Sequence, residues 1–173
     1  GFQFEDRLLE SNIRFTNRVV DDASISYKAA HYDHGNGLAA ADVDGDGLID
    51  LYFTTQLGIN QLWRNLGNGK FQHITGLSGV ALSNQSTDGA FFADFDNGGD
   101  PDLVVTTVKR GNHLFENVDG RRFKDITASA GLEYRGHSSG SVFLDYDRDG
   151  LLDLFVVNVG AYTRDQRGRG GFY

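Results

Sequence analysis

Three short stretches of the sequence place carboxylates at alternate positions along the chain. The first, residues 42–50, reads DVDGDGLID, and related stretches follow as DFDNGGDPD at 94–102 and DYDRDGLLD at 145–153. Carboxylates this close together repel one another unless a cation lies among them. Oxygen ligands of this kind suit Ca²⁺, which takes about six to eight oxygens in a flexible geometry. We therefore predict one calcium ion in each of the three loops.

The spacing within a loop assigns the ligands by analogy with the first half of an EF-hand, with side chains at positions 1, 3 and 5, a backbone carbonyl at 7 and a closing aspartate at 9. The predicted metal ligands are Asp42, Asp44, Asp46, Leu48 and Asp50 in the first loop, Asp94, Asp96, Gly98, Asp100 and Asp102 in the second, and Asp145, Asp147, Asp149, Leu151 and Asp153 in the third. Gly98 leaves position 5 of the second loop without a side chain, so we predict that this loop binds calcium most weakly.

An EF-hand itself is excluded by the residues that follow each loop. Position 12, which is glutamate in an EF-hand, is Phe53, Val105 or Val156 here. Each loop is also followed by a β-type run, LYFTT, LVVTT or LFVVNV, rather than by a helix. The loops are therefore predicted to connect strands.

The loops recur 52 and 51 residues apart, and further strand-like segments recur with them. A strand of small residues precedes each loop, a third strand begins ten residues after the last aspartate, and a fourth follows a glycine-containing turn. These segments are 35–42, 87–94 and 138–145 before the loops, 60–65 and 112–117 as third strands, and 71–75 and 123–127 as fourth strands. Four short strands per repeat predict an all-β fold, a β-propeller built of four-stranded blades.

The repeat predicts about two and a half blades within a single propeller domain. Its parts are a closing strand and insertion at 1–34, a blade at 35–86, a blade at 87–137, a half blade at 138–160 and a flexible insertion or tail at 161–173. Residues 4–8 are expected to form a lone fourth strand. A ring needs about four to eight blades, so we expect either a longer chain or the association of copies.

The composition narrows the setting in which the chain works. The formal charge is −8, but twelve of the 24 acidic residues lie in the three loops, and three calcium ions would bring the charge to −2. Most of the net negative charge is thus assigned to aspartates that are predicted to bind calcium. A nucleic-acid partner is not expected. There is no cysteine and no apolar run long enough to span a membrane. The sequence starts without signal-peptide features. Loops built from aspartate alone bind calcium weakly and suit calcium-rich surroundings, so we expect a secreted or cell-surface protein.

A few polar residues outside the loops leave a catalytic alternative open. His31, Asp33 and His34 cluster before the first blade, and His137 holds the matching place before the third. Imidazoles could form a transition-metal or acid–base site, or they could hold the loop before the strand by hydrogen bonds. There is no nucleophile elbow or phosphate loop. We assign no catalytic residue, no organic cofactor and no enzyme activity.

The repeated motif, apolar-x-apolar-Asp-x-Asp-x-Asp-Gly-x-x-Asp, resembles the FG-GAP/VCBS repeats of integrin α-subunit propellers. The segments HYDHGNGLAAADVDGDGLIDLYF, NQLWRNLGNGKF and GHSSGSVFLDYDRDGLLDLFVVN are more similar still to the ASPIC/UnbV group, which includes the cartilage acidic protein-like proteins. The resemblance covers residues 1–160 or nearly so. It implies a secreted or surface calcium-binding propeller of about seven blades.

These features favour an extracellular calcium-binding scaffold that binds a protein or glycan in adhesion or matrix assembly. The first alternative is a self-assembling protein that forms a calcium-stabilised filament, in which one copy covers the open sheet edge of the next. The second alternative is a non-catalytic propeller within a larger secreted enzyme.

Overall fold

A computed structural model describes residues 1–18, 36–83, 85–108 and 110–160 of the chain. This part of the chain contains ten β-strands and one four-residue helix, which confirms the all-β prediction. The elements are β1 (Leu38–Ala41), β2 (Asp50–Phe53), β3 (Gln61–Asn65), β4 (Phe71–His73), α1 (Thr75–Ser78), β5 (Thr87–Ala93), β6 (Asp102–Thr107), β7 (His113–Asn117), β8 (Phe123–Asp125), β9 (His137–Leu144) and β10 (Asp153–Gly160).

The strands form three antiparallel sheets in which consecutive strands pair. Two sheets have four strands, β1–β4 and β5–β8, and β9 pairs with β10. The same register closes every acidic loop, since the residue before position 1 pairs with the aspartate at position 9. These pairs are Ala41 with Asp50, Ala93 with Asp102 and Leu144 with Asp153. Each four-stranded meander is a blade of the propeller type, with its acidic loop at the first hairpin.

The apolar core lies between the first two sheets. Tyr52, Leu62, Val80 and Leu103 are fully buried there, and Phe115 is 2% exposed. Burial of side chains this large stabilises the fold by about 1.5–3 kcal/mol each. The core therefore holds the two blades face to face and fixes where their acidic loops lie.

The second blade contributes a strand that is buried throughout. Every residue of β6, which reads DLVVTT, is buried, in contrast to the alternating burial of β2. A continuous β-branched run of this kind fits a strand covered on both faces. Trp63 and Phe115, which hold the same place in the third strands of the two blades, are 5% and 2% exposed.

The fourth strands are shorter than the sequence predicts, and two threonines account for this. The Oγ1 of Thr75 accepts a hydrogen bond from the backbone N–H of Leu62 at 2.7 Å, and the Oγ1 of Thr127 accepts one from Leu114 at 3.0 Å. A side chain thus takes the place of the backbone acceptor, and the strands end at His73 and Asp125. The helix α1 follows in the first blade and was not predicted.

The N-terminal segment is positioned against the first blade. The backbone carbonyl of Ser11 accepts a hydrogen bond from the N–H of Phe71 at the start of β4. Residues 4–8 form no strand of their own in the structure, where Phe4 is 87% exposed. Their predicted pairing with another blade, like the domain boundaries, stays a prediction. His31, Asp33, His34, most of the insertion before the first blade and the tail at 161–173 lie outside the described residues.

Neighbouring blades are joined by a repeated polar seam. The Oδ1 of Asn60 accepts hydrogen bonds from the N–H of Thr55 at 3.0 Å and from the hydroxyl of Thr87, in the next blade, at 2.7 Å. The second seam uses the same pair of groups, with the bond between blades reversed: Asn112 accepts from the N–H of Thr107 at 3.1 Å and donates to the hydroxyl of Ser138, in the third sheet, at 3.0 Å. All these polar side chains are buried, so the bonds are shielded from water.

No helix among the described residues is long and apolar enough to cross a membrane; α1 has four residues.

Candidate metal centres

The aspartate at position 9 anchors each acidic loop to its sheet. Asp50 accepts hydrogen bonds from the N–H of Val43 at 3.0 Å and from the N–H of Asn65, on the third strand, at 2.7 Å. Asp102 makes the same pair of bonds, to Phe95 at 3.1 Å and Asn117 at 2.7 Å. Asp50 and Asp102 have no exposed surface. In the third loop, the N–H of Tyr146 donates to Asp153 at 2.9 Å.

The aspartate at position 1 holds the turn of each loop. Asp42 accepts hydrogen bonds from two backbone N–H groups, at positions 5 and 6 of its loop, and Asp145 does the same. Asp94 accepts one from position 6 at 3.0 Å. Position 6 is glycine each time, with φ of 84°, 93° and 89° at Gly47, Gly99 and Gly150. Only glycine takes this left-handed conformation without strain, so the turn requires it.

Three carboxylates converge in every loop. One oxygen from each of positions 1, 3 and 9 lies within 4.8 Å of the other two. The three trios are Asp42, Asp44 and Asp50; Asp94, Asp96 and Asp102; and Asp145, Asp147 and Asp153. Nine of the fifteen predicted ligands are thus brought together, in three equivalent clusters of hard oxygen donors.

The residues at position 5 lie outside these trios. The Oδ1 of Asp46 accepts a hydrogen bond from the N–H of Leu48 at 2.9 Å, and Asp149 accepts one from Leu151 at 2.8 Å. These side chains cap the turn of their own loops. The predicted roles of Asp46 and Asp149, and of the carbonyls of Leu48, Asp100 and Leu151, stay predictions.

The burial of the first two trios fits a cation, whereas the three aspartates of the third trio are exposed. The Asp44 side chain is 8% exposed, and its Oδ1 is buried with no hydrogen-bond partner; the Oδ1 of Asp94 is buried and unpartnered in the same way. A buried carboxylate oxygen without a donor is costly, and a metal ion among the three carboxylates would remove that cost. The donor set and the burial therefore suit a hard divalent cation, and the residues present fit Ca²⁺.

The clusters also change the acidity of their members. Burial raises the pKa of Asp102 to about 6, against hydrogen bonds from Asn117 and Phe95 that lower it and with the charge of Asp96 adding to the rise. Burial raises the pKa of Asp50 in the same way. Carboxylates that resist ionisation when alone become favourable ligands when a cation neutralises them.

Several residues that shape these sites were not predicted from the sequence. Arg64 forms ion pairs with Asp44 at 2.5 Å and Asp46 at 2.9 Å. Asn117 donates from its side chain to the carbonyl of Val43, in the first loop, at 2.9 Å. The available signal was the segment NQLWRN and its counterpart NHLFEN, each of which ends in the asparagine whose N–H bonds to position 9.

His137 is the one histidine of the catalytic alternative that the described residues include. It is fully buried, and its Nε2 lies 3.2 Å from Oδ2 of Asp88, which is 8% exposed. The pair joins β9 to β5, in adjacent sheets. This position agrees with a structural role at the start of the strand.

Repeated four-stranded antiparallel sheets, each with a carboxylate trio at its first hairpin, define a class: propeller-type repeats with an acidic loop in every blade. Comparison with known proteins agrees with this class. The sequence profile of the FG-GAP-like repeat matches residues 42–105 and 94–156, more than half of the chain. The chain belongs to the FG-GAP-like repeat family, and the resemblance read from its motifs is confirmed.

The chain is also similar to vertebrate cartilage acidic proteins. It is 27% identical over 160 residues to human cartilage acidic protein 1, covering 84% of this chain and 24% of that protein. The Xenopus tropicalis protein of the same name is 29% identical over 144 residues, with 82% and 22% covered. The chain spans about a quarter of the length of these relatives.

Proposed function

We propose that this chain forms part of a calcium-stabilised β-propeller that serves outside the cell as a non-catalytic scaffold for a protein or glycan partner. The observation that carries the proposal is the recurrence of one carboxylate trio at the same hairpin of three consecutive sheets. A solvated acidic turn would have no need to repeat this geometry or to bury Asp50 and Asp102 completely.

Calcium has a structural part in this proposal. In each loop the ion would be held by the carboxylates of positions 1, 3 and 9, with the remaining predicted ligands completing its shell. It would neutralise like charges that otherwise repel one another, and so fix the hairpin between the first two strands of a blade. Folding would then depend on the metal, because the ion binds only the folded loop.

The extracellular setting and the matrix type of role are supported by the relatives. The name they share refers to cartilage. Millimolar calcium outside cells also suits loops built from aspartate alone. Because the chain corresponds to about a quarter of those proteins, their partners and activities are not transferred to it.

The end of the blades opposite the acidic loops offers room for a partner. A concave site of about 290 Å³ near the connection between β2 and β3 is lined in part by Arg14, Arg18 and Ile59. A second of about 400 Å³ near the connection between β6 and β7 is lined in part by Arg110 and Arg135. Concavities of this kind, lined in part by arginines, suit a surface that binds another macromolecule or a glycan.

The absence of catalysis is likewise part of the proposal. Of the three histidines in the catalytic alternative, His31 and His34 lie outside the described residues, and His137 is buried against Asp88 between two sheets. Substrate cannot reach an imidazole in that position without separating the blades.

Thermal unfolding with and without calcium tests the structural role. We expect millimolar calcium to raise the melting temperature well above that measured with a chelator, and magnesium to do so less, because Mg²⁺ demands a stricter octahedral geometry. The paired variant Asp44→Asn, Asp96→Asn should lose most of the gain, and Asp6→Asn, on an exposed residue outside the loops, should keep it. Equal melting temperatures with calcium and chelator would refute the proposal.

Self-assembly is a second candidate because one sheet has an exposed apolar face. Val142, Phe155 and Val157, on β9 and β10, are 55%, 49% and 59% exposed. Sedimentation velocity at several protein concentrations separates the candidates. A calcium-dependent series of larger species would favour assembly, whereas a monomer that binds a partner saturably would favour the scaffold.

A further inference from the structure

We infer that Arg64 is a built-in cation of the first acidic loop, which competes with Ca²⁺ for Asp44 and Asp46 and lowers the calcium affinity of that loop. The inference rests on the proposed calcium binding and adds a residue that sets its strength. No assignment made from the sequence or from the family includes this arginine.

The geometry places the guanidinium against two predicted ligands at once. Its Nε lies 2.5 Å from Oδ2 of Asp44, at position 3, and its Nη2 lies 2.9 Å from Oδ2 of Asp46, at position 5. The Asp44 side chain is 8% exposed and that of Arg64 is 25% exposed, so water screens the pair only in part. The Nε ion pair occupies one oxygen of a carboxylate whose other oxygen is buried and unpartnered.

The second blade shows that this cation is a feature of one loop and not of the repeat. Trp63 pairs with Leu51 in the first blade, and Phe115 pairs with Leu103 in the second, so the next residue along each third strand is equivalent. That residue is Arg64 in the first blade and Glu116 in the second.

The surroundings of the two loops therefore differ in charge, and the difference comes from a residue outside the loop sequences. Each has four aspartates, but the first adds a positive charge and the second a negative one. Glu116 pairs with Lys124 at 3.0 Å, which offsets part of its charge but supplies no cation to the aspartates of the loop. Among the described residues, no ion pair joins an arginine to an aspartate of the second loop.

The consequence concerns the order of calcium affinities, for which Gly98 alone would make the second loop the weakest. The first loop has a carboxylate at position 5 that the second lacks, yet Arg64 is already paired with it. The arginine thus offsets the advantage of Asp46. It also keeps the first loop partly neutralised at low calcium, so this blade should depend less on the ion for its order.

The test follows hydrogen–deuterium exchange of the full natural chain during a calcium titration, with separate peptides for residues 42–50 and 94–102. In Arg64→Gln, the midpoint for 42–50 should move to about tenfold lower calcium, the effect of removing one charge next to a divalent ion at a partly screened site. The midpoint for 94–102 should not move. Glu116→Arg should raise the midpoint for 94–102 and leave 42–50 unchanged.

Two further variants complete the design. Arg64→Lys keeps the charge but loses the fork that reaches both aspartates, so its shift should be smaller than that of Arg64→Gln. Arg135→Gln removes an exposed arginine at the end of the second blade opposite the acidic loops, and it should shift neither peptide.

The possible failures are distinguishable. If calcium protects both peptides but Arg64→Gln leaves the 42–50 midpoint where it was, or moves both midpoints equally, the inference about Arg64 is wrong while calcium binding stands. If calcium protects neither loop in the folded wild-type chain, the proposed function and the inference are both overturned.

Discussion

The side chain of Asn117 ties the second blade to the acidic loop of the first, and its removal is the most informative perturbation of the fold. Its Nδ2 donates to the carbonyl of Val43 at 2.9 Å and to that of Pro101 at 3.1 Å, and its Oδ1 accepts from the N–H of Gly120 at 2.8 Å. Asn117 is 6% exposed and Val43 has no exposed surface. Asn117→Ala would therefore leave buried polar groups on both blades without this partner.

The size of the effect follows from those groups. A buried donor or acceptor left unsatisfied costs about 1–3 kcal/mol, and at least the Val43 carbonyl and the Gly120 N–H are affected, so we expect a loss of about 3 kcal/mol in the free energy of unfolding. The matched control is Asn65→Ala, the same residue at the same place in the first blade. Its side chain bonds to the exposed carbonyl of Ile49 and to the N–H of Gly67, so its loss should be about 1 kcal/mol.

Urea unfolding in saturating calcium, followed by circular dichroism, measures both variants against the wild type. Asn117→Ala should also shift the calcium midpoint of the first loop, because Val43 lies between its position 1 and position 3 ligands. Equal losses for the two variants, or a loss below about 1 kcal/mol for Asn117→Ala, would show that the contact between blades does not carry the stability assigned to it.

Three other perturbations have definite expected results. Since burial raises the pKa of Asp102 from 3.8 to about 6, protons compete with calcium at the second loop, and titrations should show weaker binding at pH 5.5 than at pH 7.5. Without calcium, in the presence of a chelator, the raised pKa of Asp102 contributes stability that is fully present below about pH 4 and is lost as the pH rises through about 6. Through this group, thermal melts should show a higher melting temperature at pH 5 than at pH 7. Gly98→Asp adds the missing position 5 carboxylate, but its Cβ would lie 2.8 Å from Oδ1 of Asp96, so that side chain must move. The variant should lower the melting temperature without calcium and should tighten calcium binding at the second loop by less than the roughly tenfold that the added charge alone would give; unchanged isotherms would contradict this. Gly37→Ala places a methyl group 2.7 Å from the backbone oxygen of Asp88 and should cost about 1–3 kcal/mol in urea unfolding, whereas Gly76→Ala, where the added atom meets open space, should cost much less.

The architecture could be predicted from the sequence because it repeats along the chain. One loop in DVDGDGLID is ambiguous, but three copies in register predicted both the four-stranded sheets and the positions of their acidic hairpins, and the pairs at the base of each loop agree. The convergence of positions 1, 3 and 9 also follows the predicted ligand order. What repeats along the chain could be found by comparing the copies.

The features that were not predicted depend on register between strands or between blades. Arg64 lies 14 residues after the last aspartate of its loop, and only the pairing of Leu51 with Trp63 brings it to Asp44. The strand ends at His73 and Asp125 depend on a threonine hydroxyl replacing a backbone acceptor. Single residues that act across strands leave no periodic trace, so spacing alone does not reveal them.

The seam built on Asn60 and Asn112 has a consequence for how such a chain can grow. Each blade presents an asparagine to the blade that follows and a threonine or serine hydroxyl to the blade before it. The hydroxyl of Thr87 donates to Asn60 at the first junction, whereas Asn112 donates to the hydroxyl of Ser138 at the second. Because an amide and a hydroxyl can each donate and accept, both junctions described here pair the same two groups. Duplication or deletion of one whole unit of about 50 residues would leave matching halves at the new junction, whereas a partial copy would leave a buried amide without its complement. Lineages of this protein should accordingly differ by complete blades.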